Sequence, residues 1–466
     1  MYYLTMMDSW LYDETKPFIH IEAGDTFDEL KKNARNGYFE KLIKEYLLDN
    51  NHKSIISLVP EYGLEKEKEQ KEADKLAEYK STLTNDELEE LVKKTKELKE
   101  YQDTPSSQED LEKIPMLELS DIKREPAKDY NDVKSVDGIK IVHHNIFTNK
   151  IAYINMSFDT KCVPDELIPY MGLLGSTLSL MDTKNYTYPE LTNEININCG
   201  GLATGTALYS DKVDFSKNTI VYEVKSKALY EKVPFVLGMM EEIMYNTRFD
   251  DYKRLKEIIA RIKSRLEASL MGQGHSIAML ECCAQFSESA YYSDILRGYK
   301  YYEFIKKLDE EFEQNKTQIV DKLNKLVGYI FNKDNVIVSL TADDEGYDCF
   351  VKALSAKSCN IKDEHYNTAV RSFIPVNVKT GYTSASQVQY VARCGNFVKD
   401  GYKYTGALKV LKVIFSYDYL WINVRVKGGA YGCMSGSSRM VISIWYLTGI
   451  LILKRLTIYT RVRLII

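Results

Sequence analysis

Residues 62–130 differ in character from the sequence on either side of them. Leu64–Lys80 and Asp86–Tyr101 are dense in Lys and Glu and have the period of helices. Thr84 and Glu87, at the start of the second segment, have the spacing of a capping box. We therefore expect a charged helical hairpin that acts as a connector, with its Lys and Glu side chains on a solvated face.

Residues 1–61 have the pattern of an α/β domain whose beginning lies upstream, because MYYLTMMDSW reads like the middle of a helix. Thr26 and Glu29 have capping-box spacing. The predicted helix, extended segment, second helix and strand lie at Met1–Tyr12, Phe18–Glu22, Gly24–Asn50 and His52–Val59. We interpret the whole segment as the remnant of an α/β domain.

Residues 131–360 predict a further α/β domain, without a metal site. Ile151–Phe158 alternates with period two, as a half-buried strand does. Val213–Lys225 and Asn335–Thr341 are also expected to be strands. The predicted helices are Pro164–Met181, Pro189–Cys199, Leu229–Met244, Asp250–Met271 and Thr317–Phe331.

Residues 361–438 have the pattern of the start of a second α/β domain that is truncated. We predict a strand at Gln387–Cys394, a helix at Tyr402–Asn423 and a strand from Ala430. Residues 439–466 form an anomalous tail, apolar and basic, with no Asp or Glu. Its apolar run falls short of the ~20 residues that span a bilayer, so we expect no membrane anchor. A buried strand is an alternative.

Charge and cysteine usage exclude several function classes. The formal net charge of −5 provides no overall basic field for nucleic acid. The N-terminus lacks the basic and apolar regions of a signal peptide. The eight cysteines are scattered without a C-x-x-C pair, so we expect reduced thiols. These observations predict a cytoplasmic protein that contacts neither nucleic acid nor a membrane.

The six histidines do not form a zinc motif in the sequence. Residues 361–365 have the end of the pattern H-x-x-E-H, but Ile361 occupies the first ligand position and cannot bind zinc. His143 and His144 are adjacent on a strand-like stretch, so their side chains should point to opposite faces. We expect them to have surface or structural roles, and we expect this chain to bind no cofactor.

One segment near the end of the predicted helix combines groups that can hold a peptide. Arg425 offers a fork of donors to a carbonyl or carboxylate, and the Tyr431 hydroxyl can donate to a developing oxyanion. Gly428 and Gly429 allow a sharp turn and the close approach of another chain. The alternative is an ordinary helix C-cap with an Arg that complements the helix dipole.

This motif, Arg-x-x-Gly-Gly-Ala-Tyr-Gly, resembles the C-terminal Arg/Tyr motif of the pitrilysin and insulinase zinc peptidases, especially their presequence-protease branch. Asp8–Tyr12, Phe18–Asp25 and Ile114–Leu117 agree with that branch. The resemblance extends from Met1 to about Ser437. It implies an α+β fold of repeated pitrilysin-type α/β domains, with helices packed on mainly antiparallel sheets, joined by a helical hairpin.

In that family the N-terminal half binds zinc and the metal-free C-terminal half closes over the peptide. The resemblance implies that Arg425 and Tyr431, with Gly428 and Gly429 at the turn between them, hold substrate. It also implies that the zinc-binding catalytic half is missing here. We therefore expect a fragment of a zinc metalloendopeptidase that degrades unfolded peptides. This fragment would form part of the wall of the chamber that encloses the peptide, and it would be inactive by itself.

Two alternatives remain open at the sequence level. The chain can be a separately encoded, non-catalytic subunit that binds peptides or pairs with a catalytic half made as another chain. The tail can be the product of a shifted reading frame near residues 437–439. Back-translation in a shifted frame gives the strand, polar turn and acidic helix start that the family implies there.

Overall fold

A computed structural model describes residues 2–125, 128–211, 214, 217–356, 359–383, 388–398, 401–437 and the backbone of 442–450. The chain divides into two compact units, Met1–Arg124 and Glu125–Ile466. Each unit is built from different elements, so each is described by itself.

The first unit contains helices and irregular segments, and residues 2–124 include no strand. The two helices predicted for the connector are confirmed, and each is 19 residues long. The second helix begins with the predicted capping box, in which Thr84 and Glu87 satisfy each other's backbone N–H groups. The helices α1 to α6 are Tyr2–Trp10, Gly24–Ala34, Tyr38–Leu42, Leu64–Thr82, Asn85–Asp103 and Gln108–Glu112.

The extended segment and the strand predicted in this unit are both wrong. Phe18–Glu22 forms a turn in which the Ile21 N–H donates to the Phe18 carbonyl. His52–Val59 has no regular structure, and its apolar side chains are exposed. A strand needs a neighbouring strand to pair its backbone groups, and residues 2–124 provide none.

The second predicted helix of this unit is interrupted, and its predicted capping box is also wrong. Ala23 is the N-cap of α2 and makes no side-chain cap. Gly37 has a φ of 72°, a left-handed conformation that ends one helical segment before the next begins. A π-helical turn, Ile43–Leu48, follows α3.

The second unit is organised around a six-stranded sheet. The strands β1 to β6 are Asp132–Val136, Ile139–Asn145, Ile151–Asp159, Leu202–Ser210, Asn218–Leu229 and Val336–Ala342. They lie in the order β1-β2-β6-β3-β5-β4, and only the β2–β6 pair is parallel. The mainly antiparallel sheet agrees with the expected α+β fold.

Helices cover the buried face of this sheet. The predicted alternation in β3 is confirmed, since Ala152, Ile154, Met156 and Phe158 are buried while Tyr153 is largely exposed. The helices α7 to α15 are Ile168–Thr177, Tyr188–Asn198, Val233–Tyr245, Tyr252–Gly272, Gly274–Ala284, Glu288–Arg297, Tyr299–Glu310, Phe312–Ile330 and Asp344–Ser355. Among them α7 packs on β4, α9 on β5 and α15 on β6.

Some strands in this unit differ from the predictions. The sequence patterns do not predict β4, and β5 begins at Asn218 and continues to Leu229 rather than covering Val213–Lys225. Residues 213, 215 and 216 of that predicted range lie outside the described residues. Gly201, at a φ of 105°, lies between the end of α8 and the start of β4.

A smaller, three-stranded antiparallel sheet follows an extended connection over residues 359–383. The strands β7, β8 and β9 are Gln389–Asn396, Gly432–Ser437 and Ile442–Ile450, in the order β7-β9-β8. Thus the strand alternative for the tail is confirmed over residues 442–450. In the described part of the chain, every helix is too short or too polar to cross a bilayer.

Candidate functional site

Arg425 lies in the last turn of the helical segment that precedes β8. The α-helix α16, Ala407–Ile414, continues as a π-helix, Phe415–Val426, so the predicted helix Tyr402–Asn423 starts later and ends later. Leu420 and Val424, on the inner face of the π-helix, form a small buried cluster with Ala430. Because this cluster lies on both sides of the turn, it fixes the helix end relative to β8.

The two glycines form the turn between Arg425 and Tyr431. Gly429 has a φ of 72°, and its N–H donates to the Arg425 carbonyl at 3.0 Å, which is a left-handed glycine cap. A Cβ on Gly428 would lie 2.5 Å from the Val424 carbonyl oxygen. The first glycine is therefore required by close approach and the second by its backbone conformation.

The guanidinium of Arg425 is held by two aromatic rings. It lies 4.2 Å from the centroid of the Trp421 ring and 5.5 Å from that of the Tyr431 ring. Contacts between a guanidinium and an aromatic face at exposed sites contribute about 0.5–1 kcal/mol each. They orient the side chain through its flat faces and leave the N–H groups at its edge available to a ligand.

Tyr431 points into solvent at the start of β8, with 78% of its surface exposed. The neighbouring Ala430 is buried, so the backbone is anchored while the phenol remains accessible. The structure therefore places both predicted side chains together on one exposed turn. This pair can donate hydrogen bonds to a carbonyl, a carboxylate or an oxyanion.

Sequence reasoning assigned no role to Trp421, although it lies within the segment singled out. Its ring contacts Arg425 from four positions earlier in the helix. Side chains separated by four residues on a helix are neighbours. The spacing of Trp421 and Arg425 was therefore the available signal.

The histidines of this chain do not fit the ligand set of a zinc peptidase. His143 is buried and bonds to the Ala342 carbonyl, while His144 bonds to Ser339 and to the Tyr130 carbonyl. Their opposite orientations confirm the predicted structural role. Among the described residues, one group of possible ligands, Asp334, Asp363 and His365, is fully exposed. We assign no step of zinc chemistry to this chain.

A second electrostatic feature lies away from the Arg425 turn, on α11 and α12. Burial, and then a hydrogen bond to Asp294, raises the pKa of Glu281 to about 7. Asp294 is fully buried, and the Lys300 ammonium lies 3.6 Å from it. Tyr382 donates to Glu281 at 3.4 Å. The half-buried Glu281 therefore favours its protonated form up to about neutral pH.

Models of two protein families match the chain in separate ranges. The family described as Peptidase M-16C associated matches residues 58–308. The family described as PreP C-terminal domain matches residues 381–461. The second range contains the Arg425–Tyr431 turn and also includes most of the apolar, basic tail.

Curated relatives resemble the chain along most of its length. It is 39% identical over 444 residues to a protein described as Protein HypA from Clostridium perfringens, covering 94% of this chain and 45% of that relative. It is 28% identical over 437 residues to Presequence protease 1, chloroplastic/mitochondrial, from Arabidopsis thaliana, covering 92% of this chain and 40% of the relative. The chain thus spans less than half the length of these relatives.

Among solved structures, a conserved protein from Enterococcus faecalis V583 has a similar fold. The TM-score is 0.50 at 14% identity, over 69% of this chain and 75% of that chain. At this level of identity the similarity concerns the fold alone.

Proposed function

We propose that this chain is the non-catalytic part of a zinc metalloendopeptidase that degrades unfolded peptides. The chain belongs to the peptidase-associated family that matches residues 58–308, and it represents the C-terminal half of a pitrilysin-family peptidase. In this proposal the region built around the six-stranded sheet forms part of the wall of the chamber that encloses the peptide. Arg425 and Tyr431 hold the substrate. Zinc belongs to a catalytic N-terminal half, which is in the same or a separate chain.

The observation that supports this role is the arrangement of Arg425 between Trp421 and Tyr431 on an exposed glycine turn. A guanidinium placed in this way is oriented before a ligand arrives, which lowers the entropy lost on binding. An ordinary helix C-cap requires the left-handed glycine but does not require an exposed phenol beside the cation.

Each side chain has a separate task in the proposed mechanism. The Arg425 fork donates to a backbone carbonyl or carboxylate of the peptide and fixes its position. The Tyr431 hydroxyl donates to the oxygen on which negative charge develops during attack on the peptide bond. The close approach permitted at Gly428 and Gly429 admits the peptide backbone to the turn.

The proposal predicts that this chain hydrolyses no peptide by itself and acts together with its catalytic half. We propose that both halves work in the cytoplasm. The test combines the full chain with the part of the Clostridium perfringens relative that this chain does not match, produced as a separate protein and supplied with zinc. A fluorogenic unfolded peptide reports hydrolysis. We expect turnover from the mixture and none from either part alone.

Peptide binding distinguishes the proposal from its alternative and from a wrong assignment. The anisotropy of a labelled unfolded peptide is measured with the chain alone, with and without replacement of Arg425 and Tyr431 by alanine. Tight binding without any reconstituted turnover would favour a separate peptide-binding subunit. Hydrolysis by the chain alone in excess chelator would overturn the proposal. Tyr417→Ala, at an exposed position of the same helix, is the matched control.

A further inference from the structure

Three cysteine thiols meet where α11 packs against β7. The Sγ atoms of Cys283 and Cys394 lie 3.2 Å apart, although 111 positions separate the two residues in the chain. Cys394 also forms a hydrogen bond with Cys282. Since Cys282 and Cys283 belong to α11 and Cys394 belongs to β7, the sulfur contacts join α11 to the three-stranded sheet.

The three thiols differ in their surroundings. Cys283 is buried in a small apolar cluster that includes Ala284, Ala290 and part of Cys394. Cys282, the preceding residue on α11, is half-buried. Its hydrogen bond with Cys394 lowers the pKa of Cys282 to about 7, so a large fraction of it is thiolate at neutral pH.

Cys433 provides a contrast within the same three-stranded sheet. Burial raises the pKa of Cys433 to about 12, which leaves it as an unreactive thiol at neutral pH. A reactive thiol beside a closely spaced pair is the arrangement that redox-sensitive dithiols use, because the thiolate reacts first and a neighbour resolves the product.

We propose that Cys283 and Cys394 form an oxidisable dithiol, which a peroxide converts through Cys282 into a disulfide that ties α11 to the sheet carrying Arg425 and Tyr431. The modification site is independent of zinc and of the catalytic half. It joins α11 to the three-stranded sheet, whose strand β8 begins directly after Tyr431.

Hydrogen peroxide oxidises the two thiols to the disulfide in three steps. The Cys282 thiolate attacks hydrogen peroxide, an S–O bond forms, the O–O bond breaks, and the departing hydroxide takes a proton to become water. The Cys394 sulfur displaces the second oxygen as water, which gives a Cys282–Cys394 disulfide. Cys283 then attacks Cys394 and releases Cys282, which leaves readily because of its low pKa. Two thiols have lost two electrons, and the peroxide has become two waters.

The geometry supports Cys283 rather than Cys282 as the final partner. The Cys283–Cys394 sulfur contact is already 3.2 Å, and a disulfide requires about 2.05 Å. The movement needed is therefore about an ångström along the line that joins the two sulfurs. Buried disulfides also resist reduction better than exposed ones, so exchange toward Cys283 is favoured.

The test treats the full chain with hydrogen peroxide and maps its peptides without reduction. Trypsin releases Leu266–Arg297, which contains Cys282 and Cys283, and Cys394–Lys399. We expect a covalent link between these peptides that dithiothreitol removes. Fragmentation should place the link at Cys283, and the oxidised chain should unfold at a higher temperature than the reduced chain.

Alanine variants separate the roles of the thiols, since alanine suits the apolar cluster. Cys394→Ala should abolish the link between the two peptides, and Cys283→Ala should leave it at Cys282. Cys282→Ala should slow formation of the link at least fivefold, and Cys433→Ala should react as the parent does. Circular dichroism checks that each variant is folded. Equal rates of linking in folded Cys282→Ala and in the parent would overturn the assigned route through Cys282.

Two further results overturn the proposal. One is peroxide treatment of the parent chain that over-oxidises Cys282 without linking the two peptides. The other is a stable link at Cys282 that persists in the parent chain at long times. The link must also form faster in the native chain than in urea, because the proposal depends on folded geometry rather than on random thiol encounters.

Discussion

The six-stranded and three-stranded sheets of the second unit contribute different properties to the molecule. The larger sheet buries a continuous core in which Phe158, Leu173 and Phe331 are fully inaccessible. Around the smaller sheet, the described side chains form a cluster in which Leu420, Val424 and Ala430 are buried. The candidate site lies on the second region, and the first contributes none of its predicted residues.

The comparison shows how this chain separates stability from recognition. In a large core, many packed side chains hold the backbone in one position, so a site built on it would move little. The Arg425 turn is instead anchored by a few apolar contacts and presents its side chains to solvent. Elements with few buried contacts open at low free-energy cost, which suits the proposed closure of this surface on a peptide.

The largest expected effect comes from the core of the larger sheet. Phe158 is fully buried and meets the Phe331 ring edge-on at 5.1 Å. Phe158→Ala should lower the free energy of unfolding by about 3–5 kcal/mol, because it leaves a cavity. Leu420→Ala in the smaller cluster should cost about 2 kcal/mol. Urea unfolding monitored by hydrogen exchange measures the free energy of unfolding of both variants. Equal losses in the two variants would contradict the difference in stability between the two sheets.

A second prediction concerns turnover in the reconstituted enzyme. Tyr431→Phe removes only a hydroxyl from an exposed side chain, so the free energy of unfolding should stay the same. If the hydroxyl stabilises an oxyanion, kcat should fall by an amount equivalent to about 2–4 kcal/mol of barrier. Steady-state kinetics on an unfolded peptide measures this change. Tyr417→Phe is the control, and unchanged cleavage by Tyr431→Phe would refute the assigned role.

A smaller effect is expected for Arg425→Lys. The ammonium keeps the charge but loses the planar fork and its contact with the Trp421 ring. We expect KM to rise by about tenfold, equivalent to ~1.4 kcal/mol of binding. Lys427→Arg, two positions away, should leave KM as it is. A larger loss in kcat than in KM would assign Arg425 to the transition state rather than to substrate binding.

The smallest predicted effect is a change in pH dependence. Because the pKa of Glu281 is raised to about 7, folding favours its protonated form. Its stabilising contribution is complete below the ordinary carboxyl pKa of 4.5 and is lost as the pH rises through 7. Glu281→Gln should therefore be about 1 kcal/mol more stable than the parent at pH 8, after allowance for solvent screening.

Unfolding curves between pH 5 and 8.5 provide the measurement. Lys300 and Asp294 also face Glu281, so Lys300 must stay in place during the comparison. Glu303→Gln, at an exposed position on α13, is the matched control and should retain the slope of the parent. The same slope in Glu281→Gln would show that another group is responsible.

Much of the larger sheet could be predicted because its strands carry a clear alternation. The apolar residues of Ile151–Phe158 face a core, and this pattern is visible in the sequence. Leu202–Ser210 was missed because Thr, Gly and Ala dominate it, so its pattern resembles that of a loop. Its position as a strand depends on pairing with β5, which lies later in the chain.

The errors in the first unit have a different physical origin. His52–Val59 has the composition of a strand, but β-propensity mainly reflects packing against neighbours. At the site, the Arg425–Tyr431 motif was predicted from residue types and spacing. The role of Trp421 and the meeting of Cys283 with Cys394 depend on three-dimensional packing, and the latter joins residues that no local pattern connects.

The order of strands in the smaller sheet has a consequence for its formation during synthesis. β9 is the last strand of this sheet in the chain, yet it lies between β7 and β8 and pairs with both. The first two strands to leave the ribosome therefore have no direct partner in each other. Until residues 442–450 emerge, their backbone groups remain open to water or to other chains. Formation of this three-stranded sheet therefore waits until residues 442–450 have been synthesised.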